Sequence, residues 1–250
     1  MDGADDDGWS AVATEWAELW GSFADPARRT IIAEAGIASG SRVLDVGCGS
    51  GEFVAMLAGL GAIASGADPA PRMVEHARRL VPAADLRAAG AEQLPWPDAA
   101  FDVVTAVNAL QFADDTVDAL REFARVTHPG GSIAIANWAE GSRNDLNVVE
   151  EAVARAAGEE LLPDGDLREP GGLEAVMREA GLEVLSAGLV ECPWEVPDDA
   201  TLVRGVLLGE DPDRQAESAP VVLGAARRFR TAGGGYRLVN AFRFCVAGVR

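Results

Sequence analysis

The chain has 250 residues, of which 48% are hydrophobic, enough for one large α/β domain with a proper core. Its formal charge is −19, from 40 acidic against 21 basic residues, and every basic residue is arginine. Such an acidic balance is a poor match for nucleic acid or an anionic membrane surface, and no segment has the roughly 18 uncharged apolar residues of a membrane span. Cys48, Cys192 and Cys245 have neither metal-ligand spacing nor the even count of a disulfide framework.

The first residues, MDGADDDG, lack the basic and apolar regions of a signal peptide and predict a disordered tail over 1–8 of a soluble, cytoplasmic protein. An amphipathic helix follows, carrying Trp9, Val12, Trp16, Trp20 and Phe23 at helical spacing, and Pro26 opens a second helix to about Ala35. Strands are predicted at 42–46, 62–67, 85–88, 101–107 and 132–138, with helices at 51–60, 70–80 and 114–127 between them. Asp114 and Asp115 are N-cap candidates for the last of these, and Pro129-Gly130-Gly131 stops it. Strands alternating with helices imply right-handed crossovers and a parallel sheet. Beyond Trp138 the rhythm changes to helices at 146–157 and 173–180 and a strand at about 182–190. A mainly helical stretch, 198–230, is interrupted by the polar run 210–217, and an extended segment, 236–249, closes the chain.

The most informative segment is Val43-Leu44-Asp45-Val46-Gly47-Cys48-Gly49-Ser50-Gly51, taken with Asp68. An apolar strand ends in a carboxylate and a glycine turn, and the next strand ends in a second carboxylate. The glycines allow a backbone closed to other residues and let the main chain approach a ligand. A ligand with an amine at one end and a ribose diol at the other suits this pair, Asp45 beside the ammonium and Asp68 accepting from both hydroxyls. S-adenosylmethionine fits that description. A dinucleotide fits less well, because Glu52 stands where the third fingerprint glycine belongs and Asp45 would repel a pyrophosphate.

The segments VLDVGCGSG (43–51), GADPAPRMVEHAR (66–78), AEQLPWPDAAFDVV (91–104), NALQFADD (108–115) and HPGGSIAIANW (128–138) together resemble the class I S-adenosylmethionine-dependent methyltransferases. The similarity is to the small-molecule branch that includes ubiquinone- and menaquinone-type enzymes. The last 15 residues are similar to that family's terminal strand, and 139–230 match loosely. The resemblance implies a Rossmann-like, seven-stranded, mostly parallel sheet of order 3-2-1-4-5-7-6 with strand 7 antiparallel and helices on both faces. It implies one domain over 1–250, with a helical lid at 9–35, a cofactor core at 36–138 and cap helices with closing strands at 139–250. It further implies that Asp45, Gly47 and Gly49 hold the methionine end, Asp68 the ribose, Pro69 and Met73 the adenine, and that Asn108 lies beneath the sulfonium. Gly90, Ala91 and Glu92 would meet the adenine through their backbone. Relatives often carry an aspartate where Gly90 stands.

By the same resemblance the donor is S-adenosylmethionine, the product S-adenosylhomocysteine, and no metal is expected. The acceptor is expected to be a small hydrophobic compound, a secondary metabolite or quinone-like molecule methylated on oxygen or carbon, with no nucleic-acid partner and a monomeric or homodimeric state. His76 reads as solvent-facing and His128 as lying at the far end of the sheet, so no histidine base is evident. Gln111 and Glu140 are weak catalytic candidates, with Asp145 and Glu195 as further possible cap carboxylates. An acceptor acidic enough to need no base is the favoured alternative. Trp9, Trp16, Trp20 and Phe23, with Trp96, Phe112, Trp138 and Trp194, are expected to shape an apolar pocket, or else to dock the first helix on the core. A cyclase or rearrangement enzyme on the same fold, and a non-catalytic cofactor-binding protein, remain alternatives.

Overall fold

The computed structural model describes residues 6–250. Of the predicted tail, residues 1–5 lie outside the described residues, whereas residues 6–8 form the first turn of helix α1 (Asp6–Leu19). Helix α2 (Asp25–Glu34) leads into strand β1 (Arg42–Val46), and the core alternates α3 (Glu52–Gly59), β2 (Ile63–Asp68), α4 (Pro71–Leu80), β3 (Asp85–Ala88), β4 (Phe101–Val107) and α5 (Thr116–Val126). Strand β5 (Thr127–Trp138) precedes α6 (Asp145–Ala157), α7 (Gly172–Glu179), β6 (Glu183–Val196), α8 (Asp199–Val206), α9 (Pro212–Ala226) and β7 (Tyr236–Gly248). The sheet has the order β3-β2-β1-β4-β5-β7-β6, with β7 antiparallel to both neighbours, as the resemblance implied.

Side chains that alternate along each strand sort into two cores. Val43 of β1, Val103 of β4, Ala134 and Ala136 of β5, and Phe242 and Phe244 of β7 face one layer. That layer includes buried residues of α2, α3, α4, α6, α8 and α9. Leu44, Val104, Ile133, Ile135 and Cys245 face the other, where Leu120 and Phe123 of α5 and Leu173 and Met177 of α7 cover them. Asp115 caps α5, its carboxylate accepting from Val117 N and Asp118 N at 2.9 Å each.

Three boundaries differ from expectation. Strand β5 begins at Thr127, because Thr127 pairs with Phe101 across an irregularity that accommodates the Pro-Gly-Gly turn. Strand β6 continues to Val196: Cys192, Trp194 and Val196 are buried in alternation, and Pro193 is tolerated because β6 is an edge strand. The break between α8 and α9 lies at 207–211, and only the first two residues of the polar run 210–217 belong to it. Asp211 accepts from Asp213 N and Arg214 N, and Pro212 sits in the first turn, so the run starts α9.

The two N-terminal helices have different roles. Helix α2 docks on the core through the fully buried Ala27 and Ile31. Helix α1 instead lies across α4, with Ala13, Trp9 and Trp16 against Ala70 and Met73. It is tied by Thr14 to His76 at 3.1 Å and by Glu15 and Glu18 to Arg204 of α8. Trp20 stacks on Trp194 with centroids 4.1 Å apart, and the two indoles donate to Gly205 O and Leu19 O.

Gly51 is where α3 and α4 meet most closely. It has φ +96°, and a Cβ there would lie 2.8 Å from the Cα and Cβ of Ala77. Neither the backbone angle nor the neighbouring helix can accommodate a side chain. Gly51→Ala is therefore expected to destabilise the fold by about 2–4 kcal/mol, read as a lower urea midpoint with unchanged slope.

Candidate functional site

The C-terminal ends of β1 and β2 are joined by backbone hydrogen bonds. Gly47 N and Cys48 N both donate to Ala67 O, at 2.8 and 2.9 Å, so the turn folds back over the end of β2. Asp68 locks it there. One carboxylate oxygen accepts from Gly49 N and the other from Ala70 N, both at 2.9 Å. Gly47 has φ +69°, and a Cβ on it would overlap that of Ala109 after β4. The turn thus runs against the β4 loop with no side chain between them.

These strand ends open into a cavity of about 1070 Å³. Gly47, Gly49, Asp68, Pro69 and Met73 form one part of its wall, and Gly90, Ala91, Glu92 and Asn108 continue it. Nine of the ten expected cofactor residues therefore share one cavity. The tenth, Asp45, is 3% exposed and lies behind the wall, its carboxyl accepting from Thr105 Oγ1 at 2.8 Å. Burial pushes its pKa up to about 7 against the opposing Thr105 hydrogen bond and the Arg28 charge. Asp45 is thus not among the residues that line the cavity.

Asn108 has φ +56°, and its N–H donates to Ala136 O. Gln111 Nε2 donates to Asn108 Oδ1 at 2.8 Å, and Gln111 Oε1 accepts from Asn137 Nδ2 at 2.7 Å, so the glutamine bridges the ends of β4 and β5. Glu92 turns its carboxylate onto Asp114 N at 2.7 Å, which joins the loop after β3 to the loop before α5.

The aromatic residues form a continuous band over the rest of the wall. Trp9 meets Phe112 at 5.5 Å and Trp16 at 5.2 Å; Trp16 stacks with Trp20. Phe23 stacks on Trp138 at 4.9 Å, and both contact Phe242. Trp16, Trp20, Phe23, Gln111, Phe112 and Trp138 thus line the cavity as expected. Trp194 does not: it lies behind Trp20 as its stacking partner. Trp96 is on the other face of the sheet, packed with Phe101 and donating to Asp85.

The suggested cap carboxylates are engaged elsewhere, contrary to expectation. Glu140 lies outside the wall, paired with Arg243 at 2.6 Å and Arg143 at 3.0 Å. Burial acts to raise its pKa, but its backbone and arginine hydrogen bonds outweigh this and hold it below the usual carboxylate value. Asp145 accepts from Val239 N, and Glu195 is exposed beside Arg237 on the edge strand. His128 sits at the opposite end of β5, 3.3 Å from Asp102.

Three charged wall residues escaped the sequence reading: Arg28, Glu150 and Arg168. Arg28 Nη1 donates to Gly21 O and Asp25, while its buried Nε has no hydrogen-bond partner among the described residues. Its only sequence signal is its place on a helix ahead of β1. Glu150 shares a helix face with Leu146 and Asn147, but nothing local shows that this face looks inward. Among the described residues no cluster of metal-ligating side chains is present.

A family model described as a methyltransferase domain matches residues 44–135. The chain is 35% identical over 157 residues to the 27-O-demethylrifamycin SV methyltransferase of Amycolatopsis mediterranei, covering 60% of this chain and 56% of that protein. It is 38% identical over 107 residues to the malonyl-[acyl-carrier protein] O-methyltransferase of Serratia marcescens, covering 43% and 42%. The chain thus spans only about two fifths to just over half the length of these curated relatives. A chain of the complex containing the Haloferax volcanii Trm112 methyltransferase activator superposes with TM-score 0.62 at 21% identity, over 98% of this chain and 97% of that one. Residues 44–135 thus match a methyltransferase domain within a fold shared with that solved structure, and S-adenosylmethionine is the cofactor that the match supports.

The wall suits that cofactor chemically. It offers a carboxylate at Asp68 for the ribose hydroxyls, a guanidinium at Arg28 for a carboxylate, side-chain-free turns at Gly47 and Gly49 for close approach, and apolar Pro69 and Met73 for a flat base.

The neutral tendency of Asp45 has a measurable consequence. Its folded pKa of about 7 lies above the unfolded value of 3.8, so between these the folded state binds more protons and stability falls as pH rises. The penalty is complete above the folded pKa. Asp45→Asn removes it, so the thermal midpoint of the variant relative to the parent is expected to rise from about pH 5 to about pH 8. An offset that is the same at both ends of that range would contradict the assignment.

Proposed function

We propose that this protein transfers a methyl group from S-adenosylmethionine to an oxygen of a small, largely apolar acceptor, a secondary metabolite or quinone-like compound. The supporting observation is that one cavity of about 1070 Å³ contains both the donor features and the aromatic band. That volume lies at the top of the range for a single small-ligand pocket, which leaves room for donor and acceptor side by side. The relatives' names, an O-methyltransferase and a rifamycin methyltransferase, agree with oxygen methylation of a bulky organic acceptor.

When bound, the cofactor supplies a methyl group activated by a sulfonium. The protein's task is to hold, orient and dry the reactants. Asp68 accepts from the ribose hydroxyls while keeping its hydrogen bonds to the turn, and Arg28 faces the amino-acid carboxylate. The backbone of Gly90–Glu92 and the side chains of Pro69 and Met73 enclose the adenine. Trp9, Trp16 and Phe112 cover this half and exclude water, and aromatic faces favour a cationic centre. Orientation in a closed site contributes up to roughly 7–11 kcal/mol in favourable systems, so proximity carries most of the acceleration.

The reading is tested by mass spectrometry of hydrophobic extracts incubated with the protein and methyl-labelled cofactor. A labelled product heavier by one methylene is expected. Conversion without that gain would indicate a rearrangement enzyme, and binding without turnover a non-catalytic protein. Asp68→Ala is expected to weaken S-adenosylhomocysteine binding about ten- to 150-fold, roughly 1.5–3 kcal/mol, by calorimetry. Arg28→Met is expected to weaken it about tenfold or more while leaving 5′-methylthioadenosine, which has no carboxylate, unaffected. Equal losses for both ligands would remove Arg28 from the donor site.

A further inference from the structure

Strand β4 ends at Val107, and the chain bends at Asn108 into one turn of 3-10 helix, Leu110–Phe112. Asn108 has a positive φ of +56°, a region that asparagine enters more readily than most residues. The bend sets Ala109 against the donor turn, where a Cβ on Gly47 would overlap its own. On the other side Phe112 meets Trp9 with ring centroids 5.5 Å apart and so joins the aromatic band. Gln111 lies between these two contacts, exposed and in the cavity wall.

Its amide is held at both ends. Nε2 donates to Asn108 O at 3.1 Å and to Asn108 Oδ1 at 2.8 Å, and Oε1 accepts from Asn137 Nδ2 at 2.7 Å. A backbone carbonyl can only accept, so the amide atom facing Asn108 O is the nitrogen. That sense passes on to Asn137, whose nitrogen must face the glutamine and whose oxygen must face away. Asn137 is 2% exposed, and its Oδ1 is buried without a hydrogen-bond partner among the described residues. Such a carbonyl lowers stability, and an apolar side chain of the same shape would avoid that cost. What the asparagine does supply is the orientation of Gln111.

The hydrogen-bonding capacity of Gln111 is then used except at one point. Both Nε2 hydrogens and one Oε1 lone pair are engaged, which leaves the second lone pair of Oε1. A lone pair pairs only with a donor, so this point of the wall suits an O–H or N–H and is mismatched to an ether or a carboxylate oxygen. An amide already fixed in that sense loses little freedom when a ligand binds.

We propose that Gln111 is a specificity-determining residue for the acceptor, its Oε1 taking a hydrogen bond from a neutral hydroxyl, and that Asn137 is the positioning residue that fixes it. The inference rests on the methyl-transfer reading above. Gln111 binds and orients the hydroxyl and takes no proton from it. The Phe112–Trp9 pair on one side and Trp138, which follows Asn137 and stacks on Phe23 at 4.9 Å, give a flat ring bearing that hydroxyl aromatic neighbours in the same cavity.

The test compares 2-naphthol with 2-methoxynaphthalene, which has the same rings and no donor. Binding of each to the protein saturated with S-adenosylhomocysteine is followed by calorimetry. The parent is expected to prefer 2-naphthol about tenfold, and Gln111→Leu, a change at an exposed position, to lose that preference. Asn137→Leu removes the unpartnered carbonyl together with the clamp. Its preference is expected to fall about threefold or more, while its thermal midpoint stays equal to the parent's or rises. A parental preference in Gln111→Leu overturns the proposal, as does a parent with no preference. A lowered midpoint with parental preference in Asn137→Leu gives the network a structural role only and overturns the positioning of Gln111 by Asn137. S-adenosylhomocysteine affinity is measured first and is expected to be the same in all three proteins. Its absence in the parent would overturn the donor reading, whereas its presence without the naphthol preference overturns only the assignment of Gln111.

Discussion

The site depends on how the ends of β1 and β2 are held together. Ala67 O takes two turn N–H groups, and the Asp68 carboxylate takes one N–H from the turn and one from the start of the next helix. A carboxylate that accepts backbone N–H groups in this way is a strong, fixed acceptor site. The same residue therefore shapes the loop and presents charge to a ligand. Because Gly47 has no side chain, the β4 loop can approach, and Asn108, the aromatic band and the cap are all positioned relative to that contact.

The cofactor half was legible because its determinants are local. A strand ending at Val46, glycines with positive φ at 47, 49 and 51, and a carboxylate ending the next strand lie within 26 residues of one another, from Arg42 to Asp68, apart from the loops at Gly90 and Asn108. The sheet order came from the family resemblance and the structure agrees with it. The acceptor half was less legible, since it depends on which face of a helix looks inward and which carboxylate finds an arginine. Glu140 and Glu150 are indistinguishable as residues near the start of the cap; Arg243, distant in sequence, neutralises the first and not the second. Trp194 and Trp96 carried the same aromatic signal as Trp138, yet sheet register and strand facing put one behind Trp20 and the other on the opposite layer. The run 212–217 reads as a break in sequence because its exposed polar residues hide helical periodicity, although Asp211 and Pro212 are an N-terminal signature.

The acidic character of the chain is mostly dispersed in pairs. Arginines meet carboxylates at Arg42–Asp102, Arg125–Glu122, Arg204–Glu15 and Arg243–Glu140, so the surplus charge is carried by exposed residues. The more exposed of these pairs, such as Arg42–Asp102, contribute little individually. The two carboxyls with no arginine in hydrogen-bond contact and raised pKa values are instead at the site, Asp45 behind the cavity wall and Glu150 in it. Perturbed acids concentrated at one cavity are the pattern expected where binding and chemistry occur.

That distribution bears on how the favoured need for no base should be revised. With no histidine in the cavity wall and no lysine in the chain, a pre-ionised acceptor is sufficient on sequence grounds. The cavity wall nevertheless carries the carboxylates of Glu52, Asp68, Glu92, Asp114 and Glu150 against the guanidinium groups of Arg28 and Arg168, so an anionic acceptor meets surplus negative charge there. A neutral hydroxyl avoids that repulsion. Glu150 also lies on α6, outside the core that forms the donor turn. Substitutions on the wall-forming face of α6 therefore leave the Asp68 junction in place, because the two parts of the cavity are built by separate elements.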